Sequence, residues 1–305
     1  MAPSFISFVS LYSFYLRRCF AAAGLSQRAV DIDGETTIHV WAPKANNPSN
    51  SHKPSLVLIH GFGPATHWQW RQQVQFFAPI FNVYVPDLIF FGGSTTKSSE
   101  RSEVFQAKSV AKLLEKLGVE KYHVVGTSYG GMVAYNLGRM WPERVEKVVV
   151  ASSGVNMKKS DNEELAKRVN LENTSHLLLP QTASEMRALL GVAVAKPLRM
   201  APDFLLNDLI KTLYRDKRNE KLELLQGLTL GRDETASISP LQQNVLVVWG
   251  EDDKIFPVEM AKELQGLIGK NVRLEIIQNA SHVPQIERPM KFNYTVKNFL
   301  CGGSS

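Results

Sequence analysis

Short apolar runs alternate with longer amphipathic segments along the chain from Arg28 onward. Eight of the runs are rich in β-branched and aromatic residues and are bounded by turn residues, as is typical of strands. The predicted strands are 29–33, 37–41, 56–60, 82–86, 123–126, 147–151, 245–249 and 273–277. Helical patterns separate most of them, and this alternation predicts an α/β fold with a mostly parallel sheet that helices cover on both faces.

Two of these runs, 56–59 and 245–249, are apolar at every position. Strands that face solvent on one side alternate apolar and polar residues, whereas strands buried on both faces do not. We therefore predict that both runs lie near the centre of the sheet. The segment 44–54 is rich in Asn, Pro and Ser, so we predict a surface loop between an opening hairpin and the next strand.

One interval, residues 155–243, interrupts the alternation because its pattern is helical throughout. The helix candidates are 161–169, 183–194 and 202–225, the last of them broken. An interval of about 85 residues is longer than one crossover connection, which predicts an inserted helical cap over one edge of the sheet. An ordinary helical layer packed on the sheet is the alternative.

The cap interpretation divides the chain into a discontinuous α/β unit, residues 28–154 and 244–299, and an inserted cap, residues 155–243. It leaves residues 1–27 as an N-terminal extension and residues 300–305 as a tail. Because the cap is an insertion, we expect that it cannot fold alone and that it holds the determinants of specificity.

The N-terminal extension has an apolar run over 5–16, which Arg17-Arg18 follows, and contains no acidic residue. A run of about twelve residues is too short to span a bilayer, which takes about 20. In a secretory signal the basic residues precede the apolar run, the reverse of the order here. Serines at every third position would leave an apolar band on the other side of a helix. We predict an amphipathic helix that packs on the protein or lies on a membrane surface, and an organelle transit peptide stays open.

The composition, with 44% hydrophobic and 21% charged residues among 305, excludes disordered, collagen-like and multi-span membrane chains. The 35 basic and 29 acidic residues leave a formal charge of +6, but the basic groups lack the aromatic interleaving of a nucleic-acid site. We therefore predict no nucleic-acid partner. Cys19 and Cys301 match no metal-ligand spacing, so we predict neither a disulfide framework nor a metal site. A cytoplasmic location with membrane association left open fits these features, and the sequence carries no signal for the oligomeric state.

A G-x-S-x-G motif, Gly126-Thr127-Ser128-Tyr129-Gly130, follows the predicted strand 123–126 and leads into the helical pattern 132–140. This strand–turn–helix context is the one that a nucleophilic serine at a sharp turn requires. The glycines leave room for the turn and would hold the hydroxyl of Ser128 exposed at its tip. A glycine-rich start of an ordinary helix is the alternative.

A serine hydroxyl needs a base to take its proton and a third group to orient the base. The predicted strand 245–249 leads into Gly250-Glu251-Asp252-Asp253, which puts acids at the carboxyl end of a strand. The last predicted strand leads into a loop that contains His282. We therefore predict Ser128 as the nucleophile, His282 as the base, and Asp252 or Asp253 as the acid.

Attack on an ester carbonyl places negative charge on its oxygen, which preorganised N–H groups must stabilise. One predicted donor is the N–H of Tyr129, directly after Ser128. The other is the N–H of Phe62, in the segment His60-Gly61-Phe62-Gly63-Pro64 that follows the third predicted strand. A simple glycine turn is the alternative for that segment.

With these motifs, residues 28–299 resemble the α/β-hydrolase superfamily. The finer similarity is to plant monoacylglycerol-lipase-like hydrolases, which are often labelled epoxide-hydrolase-like as well. It is carried by the segments 62–64, 85–94, 249–253 and 282–289. The resemblance implies a helical cap inserted after the sixth strand. Epoxide hydrolases have an aspartate where Ser128 stands, so their chemistry is not expected.

The resemblance implies a serine hydrolase that cleaves carboxylic esters of small lipophilic or monoacylglycerol type through an acyl-enzyme on Ser128. It also implies Asp253, three residues past Gly250, as the acid, and acyl transfer to water needs no cofactor. A hydroxynitrile lyase or carbon–carbon hydrolase with the same triad, and a small-molecule receptor with the same fold, are the alternatives. Apolar cap residues are candidates to line an acyl pocket, namely Leu177, Leu178, Leu179, Met186, Met200, Phe204, Leu205 and Leu206.

Overall fold

The computed structural model describes residues 7–44, 52–169, 177–197, 200–234 and 238–302. In chain order its elements are α1 (Phe8–Ala22), β1 (Leu25–Asp31), β2 (Thr36–Pro43), β3 (Ser55–Ile59), α2 (Thr66–Phe77), β4 (Asn82–Pro86), β5 (Thr95–Thr96), α3 (Glu103–Lys116), β6 (Tyr122–Thr127), α4 (Tyr129–Met140), β7 (Val145–Ala151), α5 (Lys159–Arg168), α6 (Ala183–Ala193), α7 (Asp203–Leu213), α8 (Arg218–Gln226), β8 (Asn244–Gly250), α9 (Val258–Leu267), β9 (Val272–Ile277), α10 (Pro284–Glu287) and α11 (Pro289–Cys301). The predicted loop 44–54 falls between β2 and β3, and its residues 45–51 lie outside the described residues.

The strands form one sheet in the order β1-β2-β4-β3-β6-β7-β8-β9, with β5 paired to β2 beside this path. β2 pairs antiparallel with β1, β4 and β5, and the pairs from β4 to β9 are parallel. All eight predicted strands are present, which confirms the α/β fold with a mostly parallel sheet. The sequence analysis missed β5 because a strand of two residues is too short to show an alternating pattern.

The position of β8 differs from the prediction. β3 lies inside the sheet, but β8 is second from the end, beside β9. Its side chains nevertheless enter two apolar cores: Val245, Val247 and Trp249 share one with α4 and α9, and Leu246 and Val248 share the other with α2 and α11. Helices cover both faces of the sheet even this close to its edge, so an entirely apolar strand need not be central.

α1 runs directly into the sheet. Gly24 joins it to β1 with a φ of +88°, a conformation that glycine adopts without the steric cost of a side chain. β1 then begins at Leu25, inside the range that the sequence analysis assigned to the extension, because Leu25 is buried in a core with Phe20 and Trp41. Throughout the described ranges, α1 included, no helix has both the length and the hydropathy needed to cross a membrane.

Between β7 and β8 the described residues contain the helices α5 to α8 and no strand. α5, α6 and α7 share a small apolar core with the segments around them, formed by Leu165, Leu177, Met186, Leu189, Ala201, Leu206, Ile210 and Tyr214. Ile255, from the loop after β8, joins this core and ties the helices to the carboxyl end of that strand. Leu224 of α8 instead joins the core on one face of the sheet. The long candidate helix 202–225 is two helices, because Lys217 takes a left-handed φ of +49° at the start of α8.

Candidate active site

Ser128 lies on a strained turn between β6 and α4. Its backbone has a φ of 54° and a ψ of -123°, a conformation that non-glycine residues keep only where the surrounding structure enforces it. A Cβ on Gly130 would lie 2.3 Å from the carbonyl oxygen of Ile59, and one on Gly126 would lie 2.0 Å from that of Gly130. The two motif glycines thus let the strand and the helix approach closely enough to hold Ser128 at the tip of the turn.

The structure brings Ser128, His282 and one acid together in a hydrogen-bonded series. The Ser128 hydroxyl lies 2.9 Å from His282 Nε2, and His282 Nδ1 lies 3.0 Å and 3.2 Å from the two carboxylate oxygens of Asp253. A carboxylate can only accept hydrogen bonds, so the neutral imidazole carries its proton on Nδ1 and leaves Nε2 free to accept from Ser128. Both His282 and Asp253 are buried, and burial keeps water from competing for these bonds.

The backbone after β8 decides which of the two neighbouring acids meets the histidine. Asp253 Oδ1 accepts hydrogen bonds from the N–H groups of Ile255 and Phe256, at 2.9 Å and 3.0 Å, which aim the other oxygen at His282. Asp252 is exposed, and its backbone rather than its side chain takes part in the fold, through a 2.9 Å bond from its N–H to the carbonyl of Ala280. The structure therefore places Asp253, and not Asp252, at the base.

The segment after β3 passes directly over the serine. A Cβ on Gly61 would lie 2.9 Å from the Cβ of Ser128, and Phe62 lines the same cavity as Ser128. Tyr129 is the first residue of α4, so its N–H is one of the first-turn amides that have no acceptor inside the helix. The rings of Phe62 and Tyr129 meet edge to face at 6.0 Å. Both predicted oxyanion donors thus belong to segments that contact the serine.

Gln69 of α2 holds this loop, and the sequence analysis missed it. Its Oε1 accepts from the Gly61 N–H at 2.9 Å, and its Nε2 donates to the carbonyls of Gly61 and Pro64 at 3.1 Å and 2.8 Å. The signal in the sequence is an amide on the buried face of α2, which also turns Trp70, Val74 and a second amide, Gln73, to the interior. A buried amide is stable only where its hydrogen bonds are satisfied, so such a residue marks a specific polar contact.

His60 supports the loop from the other side. Burial lowers the pKa of His60, although Asp87 opposes this effect, and the neutral ring can then act as both donor and acceptor. Its Nδ1 donates to the Gly61 carbonyl at 2.8 Å, and its Nε2 accepts from the Leu88 N–H at 2.9 Å. Gln69 and His60 therefore fix the Gly61 peptide from both sides, next to the N–H of Phe62.

A cavity of about 200 Å³ opens beside Ser128. Its wall is mostly apolar and combines both parts of the chain, with Phe62, Ser128, Tyr129, Met132, Ile255 and Phe256 from the α/β unit and Met157, Asn162, Leu165, Leu178, Leu225, Gln226, Leu228, Leu230, Gly231 and Arg232 from the predicted cap. Of the residues predicted for an acyl pocket, Leu178 lines this cavity. Leu177, Met186 and Leu206 instead pack in the apolar core between the helices, and Met200 and Phe204 are exposed. Neighbouring side chains of a helix point to different sides, so hydrophobicity alone does not show which of them reach the cavity.

The class of protein follows from the fold and this site together. A serine on a sharp turn at the carboxyl end of a strand in a parallel sheet is here hydrogen-bonded in series to a buried histidine and a buried aspartate. The chain order Ser128, Asp253, His282 is that of the α/β hydrolases that carry a serine at this turn. Residues 54–289 match the family described as alpha/beta hydrolase fold. The chain belongs to this family.

Individual relatives are similar over most of their length. The chain is 25% identical over 306 residues to a monoacylglycerol lipase, abhd6-A of Xenopus laevis, which covers 96% of this chain and 86% of that protein. It is 27% identical over 263 residues to the 2-hydroxy-6-oxononadienedioate/2-hydroxy-6-oxononatrienedioate hydrolase of Burkholderia vietnamiensis, covering 83% and 89% of the two chains. A solved structure of a putative lipase from Acinetobacter baumannii has the same fold, with a TM-score of 0.79, 21% identity and 95% of each chain covered. These findings confirm the predicted fold and the resemblance to monoacylglycerol-lipase-like hydrolases, and the plant part of that resemblance stays a prediction.

Proposed function

We propose that the protein hydrolyses carboxylic esters of small lipophilic or monoacylglycerol type through an acyl-enzyme on Ser128. The observation that carries this proposal is the hydrogen-bonded series from Asp253 through His282 to Ser128, which ends at the wall of a mostly apolar cavity. The monoacylglycerol lipases among the relatives support the same substrate class.

The proposed reaction uses each residue of the site in turn. Ser128 Oγ attacks the ester carbonyl carbon while its proton passes to His282 Nε2, and Asp253 stabilises the resulting imidazolium. The N–H groups of Phe62 and Tyr129 stabilise the negative charge on the carbonyl oxygen. The carbon–oxygen bond to the alcohol then breaks, and the alcohol leaves with the proton from Nε2. Water repeats the sequence on the acyl-enzyme and releases the acid, with the proton returned to Ser128.

The cavity wall supports an apolar acyl group in preference to a charged one. Among its described lining residues one side chain, that of Arg232, is positively charged, and it already donates to the carbonyls of Leu228 and Gln226 at 2.6 Å and 2.9 Å. An apolar chain removes water from such a wall without leaving a charge unpaired. Polar groups such as the amide of Asn162 interrupt the apolar wall, as is typical of pockets that orient a mostly apolar ligand.

Carbon–carbon bond hydrolysis is the second candidate, because the Burkholderia relative is named for a dioate substrate. A dioate carries two carboxylates, and the described lining residues offer the single cationic side chain of Arg232. The two negative charges of a dioate would outnumber this one positive charge, which favours ester hydrolysis. The same serine, histidine and aspartate could serve either reaction, so the two candidates differ in the substrate rather than in the residues.

A substrate panel tests the proposal. The purified full chain is given glycerol monoesters and p-nitrophenyl esters of increasing acyl length, and separately a dienedioate ring-cleavage product. We expect multiple turnovers with the esters and, in the presence of hydroxylamine, capture of the acyl group as a hydroxamate. Turnover of the dienedioate without turnover of any ester would replace the first candidate by the second, and turnover of neither would oppose both.

The hydrogen bonds that Gln69 makes to the segment 60–64, here called the oxyanion loop, lead to a second expectation. Gln69→Glu keeps the shape of the side chain but replaces its N–H donors, so that a carboxylate faces the carbonyls of Gly61 and Pro64. We expect kcat for ester hydrolysis to fall by about 10- to 100-fold with little change in KM, because the loop supplies an N–H to the transition state rather than to the ground state.

Gln75→Glu is the matched control, since Gln75 is exposed on the same helix and contacts only Arg71 among its described side-chain bonds. It should leave kcat unchanged. Thermal melting of both variants separates a loss of positioning from a loss of folding. An unchanged kcat in the folded Gln69→Glu variant would remove Gln69 from the positioning role.

We also propose a cytoplasmic location on the basis of cysteine usage. Cys19 is buried and Cys301 is exposed, and both are free thiols. Free thiols persist most readily in a reducing compartment, which supports the location predicted from the sequence.

A further inference from the structure

α1 packs on the rest of the protein through one stripe of buried side chains. Val9, Leu16, Cys19 and Phe20 are its buried residues, at the spacing of a single helix face. On the same side, the Trp68 indole N–H of α2 donates to the Ser13 hydroxyl at 2.9 Å. This stripe accounts for most of the attachment of α1, and on its edge the ring of Tyr12 meets that of Trp68 at 5.1 Å.

α1 also reaches the predicted cap. The Ser7 hydroxyl and the Val9 N–H donate to Asp208 Oδ2 of α7, at 3.0 Å and 3.1 Å. The helix therefore contacts α2, which follows the oxyanion loop, and α7, which belongs to the cap. A partner that binds α1 would therefore also lie close to α2 and α7.

The outer face of α1 is apolar and aromatic. Five of its large side chains are between 45% and 64% exposed, namely Phe8, Leu11, Tyr12, Phe14 and Tyr15. Single exposed apolar residues are ordinary on protein surfaces, but a contiguous group of this size marks an interaction site. We call these five residues the outer face of α1.

The apolar surface continues onto the cap. Phe204 is 66% exposed and lies one turn before Asp208 on the same side of α7, and Asp208 holds the start of α1. Met200, just before α7, is 93% exposed. Phe204 is therefore close to the end of α1 that carries Phe8, and Met200 precedes it by four residues in the chain.

The charged residues of α1 itself are all basic, and the acids nearest its start are already bonded, Asp208 to Ser7 and Val9 and Asp203 to Arg187. Arg17 and Arg18, both exposed, are in the last turns of α1, and the chain has no acidic residue before Asp31. Aromatic side chains favour the interfacial region of a bilayer, and basic residues beside them are attracted to anionic lipid headgroups. A helix with an aromatic face and flanking arginines has the composition of a segment that lies in the plane of such an interface.

We propose that the outer face of α1, together with Phe204 and Met200, docks on the surface of an anionic phospholipid bilayer. Arg17 and Arg18 contact the headgroups, and the aromatic side chains enter the boundary with the acyl chains. This inference does not depend on the proposed ester hydrolysis, because it concerns the binding of the intact chain to lipid.

Co-sedimentation with vesicles tests the docking. Wild-type full chain is mixed with vesicles of phosphatidylcholine alone and of phosphatidylcholine with phosphatidylserine. We expect wild type to sediment with the anionic vesicles, and Phe8→Ser/Phe14→Ser to bind them at least about tenfold more weakly, because two exposed aromatic groups no longer enter the interface. Arg17→Gln/Arg18→Gln should lose binding to anionic vesicles by about tenfold and become insensitive to phosphatidylserine.

Leu267→Ser is the matched control. Leu267 is 39% exposed at the end of α9, which packs on β8 and β9 at the opposite end of the sheet from β1 and α1. The Leu267→Ser variant should bind vesicles as wild type does. Failure of wild type to sediment with either vesicle, or equal binding by the Phe8/Phe14 variant, would overturn the proposal. A wild-type dimer in sedimentation velocity that the Phe8/Phe14 variant loses, without vesicle binding, would assign the surface to a second copy of the chain instead.

Discussion

Ser128→Ala is expected to reduce ester hydrolysis by a factor on the order of 10⁵ to 10⁶ while the protein stays folded. Removal of a nucleophilic serine in a triad costs about this much, and the residual rate comes from the oxyanion donors and substrate binding. In this chain the hydroxyl oxygen is the atom that lies 2.9 Å from His282 Nε2. The change deletes one oxygen, and the backbone strain at this turn is common to both residues.

Ser152→Ala provides a matched control for that experiment. Ser152 is also a buried serine, follows the neighbouring strand β7, and its hydroxyl has no hydrogen-bond partner within the described residues. Its removal should leave kcat/KM within about twofold of wild type. A fluorophosphonate should label wild type and Ser152→Ala but not Ser128→Ala. Covalent labelling that survives in Ser128→Ala would place the nucleophile elsewhere.

The same experiment separates the enzyme from a receptor with the same fold. A receptor could carry a reactive serine and be labelled, but it would not complete repeated cycles of ester hydrolysis. Multiple turnovers that Ser128→Ala abolishes therefore support catalysis, and labelling without turnover supports the receptor. Capture of an acyl group by hydroxylamine would oppose a lyase, which forms no acyl-enzyme.

Asp253→Asn is expected to lower kcat on the order of 10⁴-fold with a small change in KM. The corresponding change in a serine protease triad has this magnitude because the amide favours the wrong tautomer of the histidine. Here the carboxylate accepts the Nδ1 proton of His282 at 3.0 Å, whereas an amide N–H in that position would compete with it. His282 would then present a proton to Ser128 rather than a lone pair.

Asp252→Asn is the control that the chain itself offers. The two acids are adjacent, but the Asp252 side chain is exposed and its backbone makes the structural contacts. We expect its kcat and KM to stay within about twofold of wild type. If Asp252→Asn were the damaging change and Asp253→Asn the silent one, the acid of the triad would be wrongly assigned.

Much of the fold could be predicted from local patterns. The apolar runs 56–59 and 245–249 identified two strands because side-chain alternation reports which faces are buried. The same signal could not place β8 beside the edge strand, because a helix on each face buries a strand wherever it lies in the sheet. The two-residue strand β5 was missed because it depends on pairing with β2 rather than on any pattern of its own.

The candidate site shows the same division. Ser128 was predicted from its motif because the glycines at 126 and 130 are needed by a turn that is local in sequence. Gln69 was not predicted, because its importance arises from contacts with Gly61 and Pro64 that a helix and a loop make only after packing. The cap residues were chosen on hydrophobicity, and of them Leu178 lines the cavity, since orientation around a helix axis is a property of the packed helices.

Local patterns in the chain were therefore enough to predict the class of fold, the turn at Ser128 and the candidate acid and base, since each was recognised from the few residues around it. The tertiary structure decided how the carboxylate of Asp253, which the resemblance already implied as the acid, meets His282, that Gln69 holds the loop 60–64, and that α1 contacts both α2 and α7. These depend on contacts between segments that are far apart in the chain, such as the one between Ser128 and His282, which differ by 154 in residue number. Such contacts are set by how helices and strands pack, and packing is a property of the whole folded chain.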